Sequence, residues 1–264
     1  MGHKEQLGMV DVDDCTEMLK DLVEKHPDLF GQFLGQLDLS WIYHENALEG
    51  VVITHAEMES ALKGRPIALD TYYPIRNQKL GLSLIRDIAS TDEDFKIDLE
   101  LMHRINRVLS TDENGTPDER EYRKFIPLHR TYFHEIAQPE HIEQKMEDLV
   151  QWANDNMPTD ENAIMFAAEF HLRFMKIFPF SKHSGKVGRL LLNLILMRYG
   201  YMPVIFHGTE RQRYYDTLRH GPRQMEDFLR GMMMNCIDNA EKFIENELKE
   251  REKREFRQRF MNAG

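Results

Sequence analysis

Along most of the chain apolar residues recur at the three-to-four-residue spacing of a helix face. Asp13 to Glu24 puts Cys15, Met18, Leu19 and Leu22 on one side and stops before Pro27. Thr54-His55-Ala56-Glu57 has the form of a capping box, in which Thr54 accepts from the third amide of a helix and Glu57 reaches back. The helix so begun is expected to run to Gly64, ahead of Pro66. Ile97, Leu101, Ile105 and Val108 form one stripe, ended by the polar run from Thr111 to Asp118. His141 to Trp152 returns to helix, and Ala163, Ala167, Phe170, Phe174 and Ile177 make a clean stripe after it. Val187 to Tyr199 is apolar nearly all round and stops at Gly200, which predicts a helix in the middle of a core. Met225 to Phe260 begins amphipathic and ends in the alternating charges of Glu247 to Glu255, the pattern of a solvated helix face laced with i,i+4 pairs.

The helical period is lost from Tyr122 to Pro139. There Phe125, Ile126, Tyr132, Phe133 and Ile136 sit among Pro127, His129 and Thr131, and a short β-hairpin is predicted. No internal repeat or Pro/Gly/Ser-rich linker divides the chain. The elements predict an all-α fold with one small hairpin: N-terminal helices over 1–96, a core over 97–230 and a charged C-terminal helix over 231–264, packed as one globular unit.

A chain of 264 residues can bury a sizeable core. Its 45 acidic and 34 basic residues leave a formal charge of −11, which argues against a nucleic-acid or anionic-membrane partner. Cys15 and Cys236 are far apart with no Cys/His ligand spacing near them, so neither a disulfide nor a zinc site is expected, and a reducing compartment fits. The opening Met1-Gly2-His3-Lys4 lacks an apolar signal core, and Gln6 stands where a myristoylation motif needs Ser or Thr. The longest apolar run, Leu190 to Met197, is broken by Asn193 and is too short to span a bilayer. These readings lead to the expectation of a cytoplasmic protein.

The richest candidate chemistry lies in Phe178-Pro179-Phe180-Ser181-Lys182-His183-Ser184-Gly185-Lys186-Val187-Gly188-Arg189. Lys182, His183, Lys186 and Arg189 gather positive charge at the start of a predicted helix in an acidic protein. Such a cluster either binds an anion or is spent on solvent and on the protein's own acids. The stretch resembles the Fic-family signature HPFx(D/E)GNGRxxR, held in register by Pro179, Phe180, Gly185 and Arg189. Weaker echoes cover most of residues 38 to 230, among them Leu101-Met102-His103-Arg104, Glu121-Tyr122-Arg123 and Tyr199-Gly200-Tyr201-Met202-Pro203. The resemblance implies the Fic (Fido) fold, with the hairpin at 122–139 as a flap that binds a protein partner or target peptide. It also implies a nucleotide in the loop, transfer of AMP from ATP to a protein hydroxyl, and a homodimer.

The chain departs from that signature at its working positions. Phe178 stands at the histidine base and cannot accept a proton. Lys182 stands at the acidic ligand that magnesium requires and would repel the ion. His183-Ser184-Gly185 replaces Gly-Asn-Gly, so a side chain occupies a position where any positive φ is uncomfortable. Lys186 is a poorer bidentate phosphate clamp than the arginine it replaces. Together these changes predict a catalytically degenerate Fic-like binding or regulatory module with no metal, holding ATP, another nucleotide or no ligand at Lys182, His183, Ser184, Gly185, Lys186 and Arg189. The alternative is a divergent Fic transferase that modifies protein hydroxyls with a nucleotide-derived group, with His183 or another histidine as substitute base and Lys182 in place of the metal.

Trp41-Ile42-Tyr43-His44-Glu45-Asn46-Ala47-Leu48-Glu49-Gly50 resembles the inhibitory-helix motif (S/T)xxxE(G/N) of the same family. Glu49 and Gly50 match, while Glu45 replaces the Ser/Thr. The resemblance implies that Glu49 pairs with Arg189 and blocks a nucleotide's γ-phosphate; a partly buried pair would equally tie the N-terminal helices to the core. His171 is expected to be a packed core histidine, and His129, His134, His183 and His207 show no zinc-ligand spacing. Met232-Met233-Met234, Trp41 and Phe33 are expected in the core.

Overall fold

The computed structural model describes residues 11–91, 95–115, 121–127 and 135–262. Among them the helices are α1 (Val12–Lys25), α2 (Pro27–Leu48), α3 (His55–Leu62), α4 (Leu69–Ser90), α5 (Leu99–Leu109), α6 (Ile142–Asp155), α7 (Ala163–Ile177), α8 (Ser184–Arg198), α9 (Arg211–Thr217) and α10 (Pro222–Asn262). Helix α8 is the centre: every residue from Ser184 to Leu196 is buried. Its all-round apolar character needs neighbours on every side, and α7, α4 and α5 supply them. Burial of each of its Leu and Ile side chains contributes about 1.5–3 kcal/mol. Gly188 lets α7 come close, since a Cβ there would stand 2.9 Å from Phe174 Cδ1.

Helix α10 covers α7 and also meets α1 and α2. A smaller cluster of Leu19, Phe33, Met202, Cys236, Ile237 and Ala240 joins the N-terminal helices to α10. Met232 and Met233 are buried, as is Trp41. The charged end of α10 carries the pairs Lys249–Glu245, Lys253–Glu250 and Arg254–Glu247, and Arg251 meets Asp28 of α2. Exposed pairs of this kind are screened by solvent and contribute little to stability. The capping box closes as expected, with Glu57 N donating to Thr54 Oγ1 at 3.2 Å and Thr54 N donating to Glu57 Oε2 at 2.8 Å. No helix among the described residues is long and apolar enough to cross a membrane. Both cysteines are free, and burial pushes the Cys236 thiol up to about 12.

The hairpin over 122–139 is corrected. The described residues of that segment form no strand, and 128–134, with His129 and His134, lie outside the described residues. The arms that flank them are pinned by their backbone amides to the end of α7, and meet each other through the Arg123 side chain and not through a ladder. Arg123 N donates to Pro179 O and Ala137 N to Lys176 O, each at 2.8 Å. The buried Arg123 side chain donates from Nε to Phe178 O at 2.7 Å, from Nη1 to Phe125 O at 3.0 Å, and from Nη2 to Ile177 O at 3.1 Å and to Ala137 O. A helix C-terminus leaves its last carbonyls without partners. Arg123 supplies them, and donors that a ladder would use are spent there.

Candidate functional site

The turn from α7 into α8 is bracketed by two non-glycine residues in left-handed conformation, Phe178 (φ 51°) and His183 (φ 65°). Each costs about 1–2 kcal/mol, so the surrounding packing must over-determine the turn. Ser184 does much of that work: Phe180 N donates to its Oγ at 2.8 Å, and the hydroxyl donates to Phe180 O at 2.9 Å. The Phe180 ring packs among His103, Tyr122 and Phe174.

Two cavities meet at this turn. One, of about 270 Å³, is lined by Asn46, Glu49, Pro127, Phe178 and Gly185 together with Lys182, His183 and Lys186. The other, of about 370 Å³, lies toward α4 and α5 beside Tyr73, Asn77, Asn106 and Arg107 and shares those same three residues. A larger hollow of about 1000 Å³, bordered by His141, Lys145, Arg173 and Lys176, has no residue of the 178–186 turn in its wall.

Charge in the turn is set by burial. Desolvation, with Lys186 next in weight, depresses the His183 pKa to about 4, so the imidazole is neutral at pH 7. Burial also lowers the pKa of Lys186, whose Nζ donates to Asn46 Oδ1 at 2.9 Å. Arg189 is fully buried beneath the turn. Its Nε donates to both carboxylate oxygens of Glu45 at 2.9 Å, and its Nη2 reaches Glu45 Oε2 at 2.8 Å and Glu49 Oε1 at 2.9 Å. Burial opposes the guanidinium charge, but the Glu45 carboxylate and its neighbours more than offset it and hold the pKa high.

The structure thus divides the anticipated ligand set. Lys182, His183 and Lys186 share cavity walls. The Ser184 hydroxyl is spent on Phe180, Gly185 is covered by Glu49 and Arg189, and Arg189 is held by two carboxylates. Gly50 ends α2 with φ 82° and leaves Glu49 at the helix terminus. His171 is a packed core residue, hydrogen-bonded to Gly188 O at 3.0 Å and to the Tyr214 hydroxyl at 2.9 Å. His207 stacks on His44 with ring centroids 4.2 Å apart, and burial lowers the His44 pKa to about 4.

The sequence reading missed Glu45 and Asn46. The signal for Glu45 was its i,i+4 spacing to Glu49, which puts both acids on one helix face. The turn does not fit a magnesium ion, because Lys182 supplies a cation where an oxygen ligand is needed. No group of three His, Cys, Asp or Glu side chains that could hold a metal occurs among the described residues.

Residues 96–196 match the Fic/DOC family model. The chain is 28% identical over 201 residues to protein adenylyltransferase fic-1 of Caenorhabditis elegans, covering 74% of this chain and 38% of that protein. It is 29% identical over 218 residues to protein adenylyltransferase Fic of Nematostella vectensis, covering 76% and 49%. It therefore spans less than half the length of these relatives. Its fold is similar to that of a Fic domain-containing signalling protein from Bacteroides thetaiotaomicron, with TM-score 0.70 and 21% identity over 88% of this chain and 97% of that one. Fic-1 of C. elegans superposes with TM-score 0.69 and 21% identity over 90% and 73%. The expectation of a catalytically degenerate binding module is corrected by these relatives, which are named as adenylyltransferases. They favour the divergent transferase.

Proposed function

We propose, for a chain whose residues 96–196 belong to the Fic/DOC family, that it is a divergent transferase moving a nucleotide-derived group, most simply adenylyl from ATP, onto a protein hydroxyl. The observation that carries this reading is a neutral imidazole, His183, placed in cavity walls that also contain Lys182 and Lys186. A base must be unprotonated at the working pH, and His183 meets that condition. In the proposed step the hydroxyl oxygen forms a bond to the α-phosphorus, the bond to pyrophosphate breaks, and the hydroxyl proton passes to the free ring nitrogen of His183. Lys182 and Lys186, with the N-terminal end of α8, offset the charge on the phosphate oxygens in place of a metal. The acceptor segment lies along the arms at 121–127 and 135–139, of which Pro127 borders the smaller cavity. Glu49, in the wall of that cavity, limits access to it.

The test is incubation of the protein, alone and with cell lysate, with ATP labelled at the α-phosphate, read as covalent label on protein and as mass increase by one adenylyl group. Label that disappears with His183→Asn is expected. Label independent of His183 would remove its role, and no transfer from a panel of nucleotide donors would overturn the reading.

A further inference from the structure

Glu45 lies four residues before Glu49 on α2, and the two acids share Arg189 unequally. Glu45 engages Nε and Nη2 through both of its oxygens, whereas Glu49 accepts from Nη2 through Oε1. The Arg189 and Glu45 side chains are 0% and 2% exposed, against 21% for Glu49. Glu45 is a buried residue of α2, and Glu49 stands at the end of that helix.

Three of the five guanidinium N–H groups are committed to carboxylates. The remaining nitrogen, Nη1, has no hydrogen-bond partner and would stand 3.0 Å from a Cβ on Gly185. The Glu45–Arg189 pair is electrically neutral before Glu49 is counted. Lys186, by contrast, meets the uncharged amide oxygen of Asn46.

We propose that Glu45 is a positioning residue that withholds Arg189 from any anion bound at the turn, so that Lys186 and Lys182 supply the positive charge whether or not Glu49 is in place. The proposal rests on the reading that the turn holds phosphate groups. It separates two jobs: Glu49 sets how fast a ligand enters, without setting its equilibrium affinity, and Glu45 sets which cations recognise the ligand. Removing Glu49 alone then leaves Arg189 neutralised.

The experiment is calorimetric titration with inorganic pyrophosphate and with magnesium-free ATP. Lys186→Met is expected to weaken binding at least tenfold. Glu49→Ala is expected to stay within about threefold of the natural protein, and Glu45→Ala with Glu49→Ala to tighten binding tenfold or more. A tenfold gain from Glu49→Ala alone, or no gain from the double variant, would overturn the role given to Glu45. If neither probe binds any variant, the phosphate reading fails by itself, and Glu45 is judged by thermal melts. There Glu45→Gln and Glu49→Gln are each combined with Arg189→Met in double-mutant cycles. A coupling in melting temperature for Glu45–Arg189 at least twice that for Glu49–Arg189 is expected, and an equal or smaller one would overturn the proposal.

Discussion

Lys186 donates to Asn46 Oδ1 at 2.9 Å across 140 residues of sequence, so a buried ammonium rests on a neutral acceptor. Asn46 is itself anchored, its Nδ2 donating to Ile42 O at 2.8 Å. This pairing holds the lysine in place through an uncharged acceptor.

Asn46→Asp puts a carboxylate against that ammonium. Magnesium-free ATP is expected to bind about tenfold more weakly, a loss of about 1.4 kcal/mol, with the fold intact by circular dichroism. Unchanged affinity by calorimetry would show that Lys186 does not face the ligand.

His183→Asn removes the proton acceptor but keeps a side chain that tolerates positive φ. Transfer is expected to fall 10²–10⁴-fold while the melting temperature moves little. With the His183 pKa near 4, the rate of the natural protein stays flat across neutral pH and falls only as the medium approaches that value. A fall centred near 6.5 would exclude His183 as the base.

The same depression has a signature in stability. The unfolded histidine takes its proton near 6.5 and the folded one near 4. The contribution is therefore fully present above 6.5 and is lost as pH falls toward 4. Its full size is about 3 kcal/mol, measured as the difference between the pH-dependent denaturant melts of the natural protein and His183→Asn.

Arg123 donates to four backbone carbonyls at the junction of α7 and the two arms. Arg123→Ala is expected to cost about 3 kcal/mol, because buried carbonyls lose their donors. Arg123→Lys should not restore it, since an ammonium cannot reproduce the fork. Urea unfolding is the check.

Gly188→Ala sets a methyl 2.9 Å from Phe174 Cδ1 and 3.2 Å from Met175 Sδ. Destabilisation of about 1–3 kcal/mol is expected from overpacking between α7 and α8. A neutral result in the same unfolding measurement would mean that this contact yields freely.

Much of the helical frame was legible. The capping box at Thr54, the stripe ending at Ile177 and the all-round apolar run before Tyr199 each name their element through local spacing. Helix α4 was not named: it passes through Pro74, which removes one ladder hydrogen bond, and burial of Ile75, Leu82 and Ile85 outweighs that loss. The hairpin was misjudged because the donors of Arg123 and Ala137 go to the α7 terminus, a destination no local pattern records.

The amino-acid sequence by itself determined that the chain is helical, that α8 is its buried centre, and that positive charge collects before that helix. Those properties follow from spacing and composition, which act within a few residues. Tertiary structure alone decided how the charge is shared: Arg189 is neutralised by Glu45 and Glu49, Lys186 rests on the neutral amide of Asn46, and burial strips the proton from His183. The partners lie 140 and 144 residues apart in sequence, and desolvation exists only once the helices close around the turn.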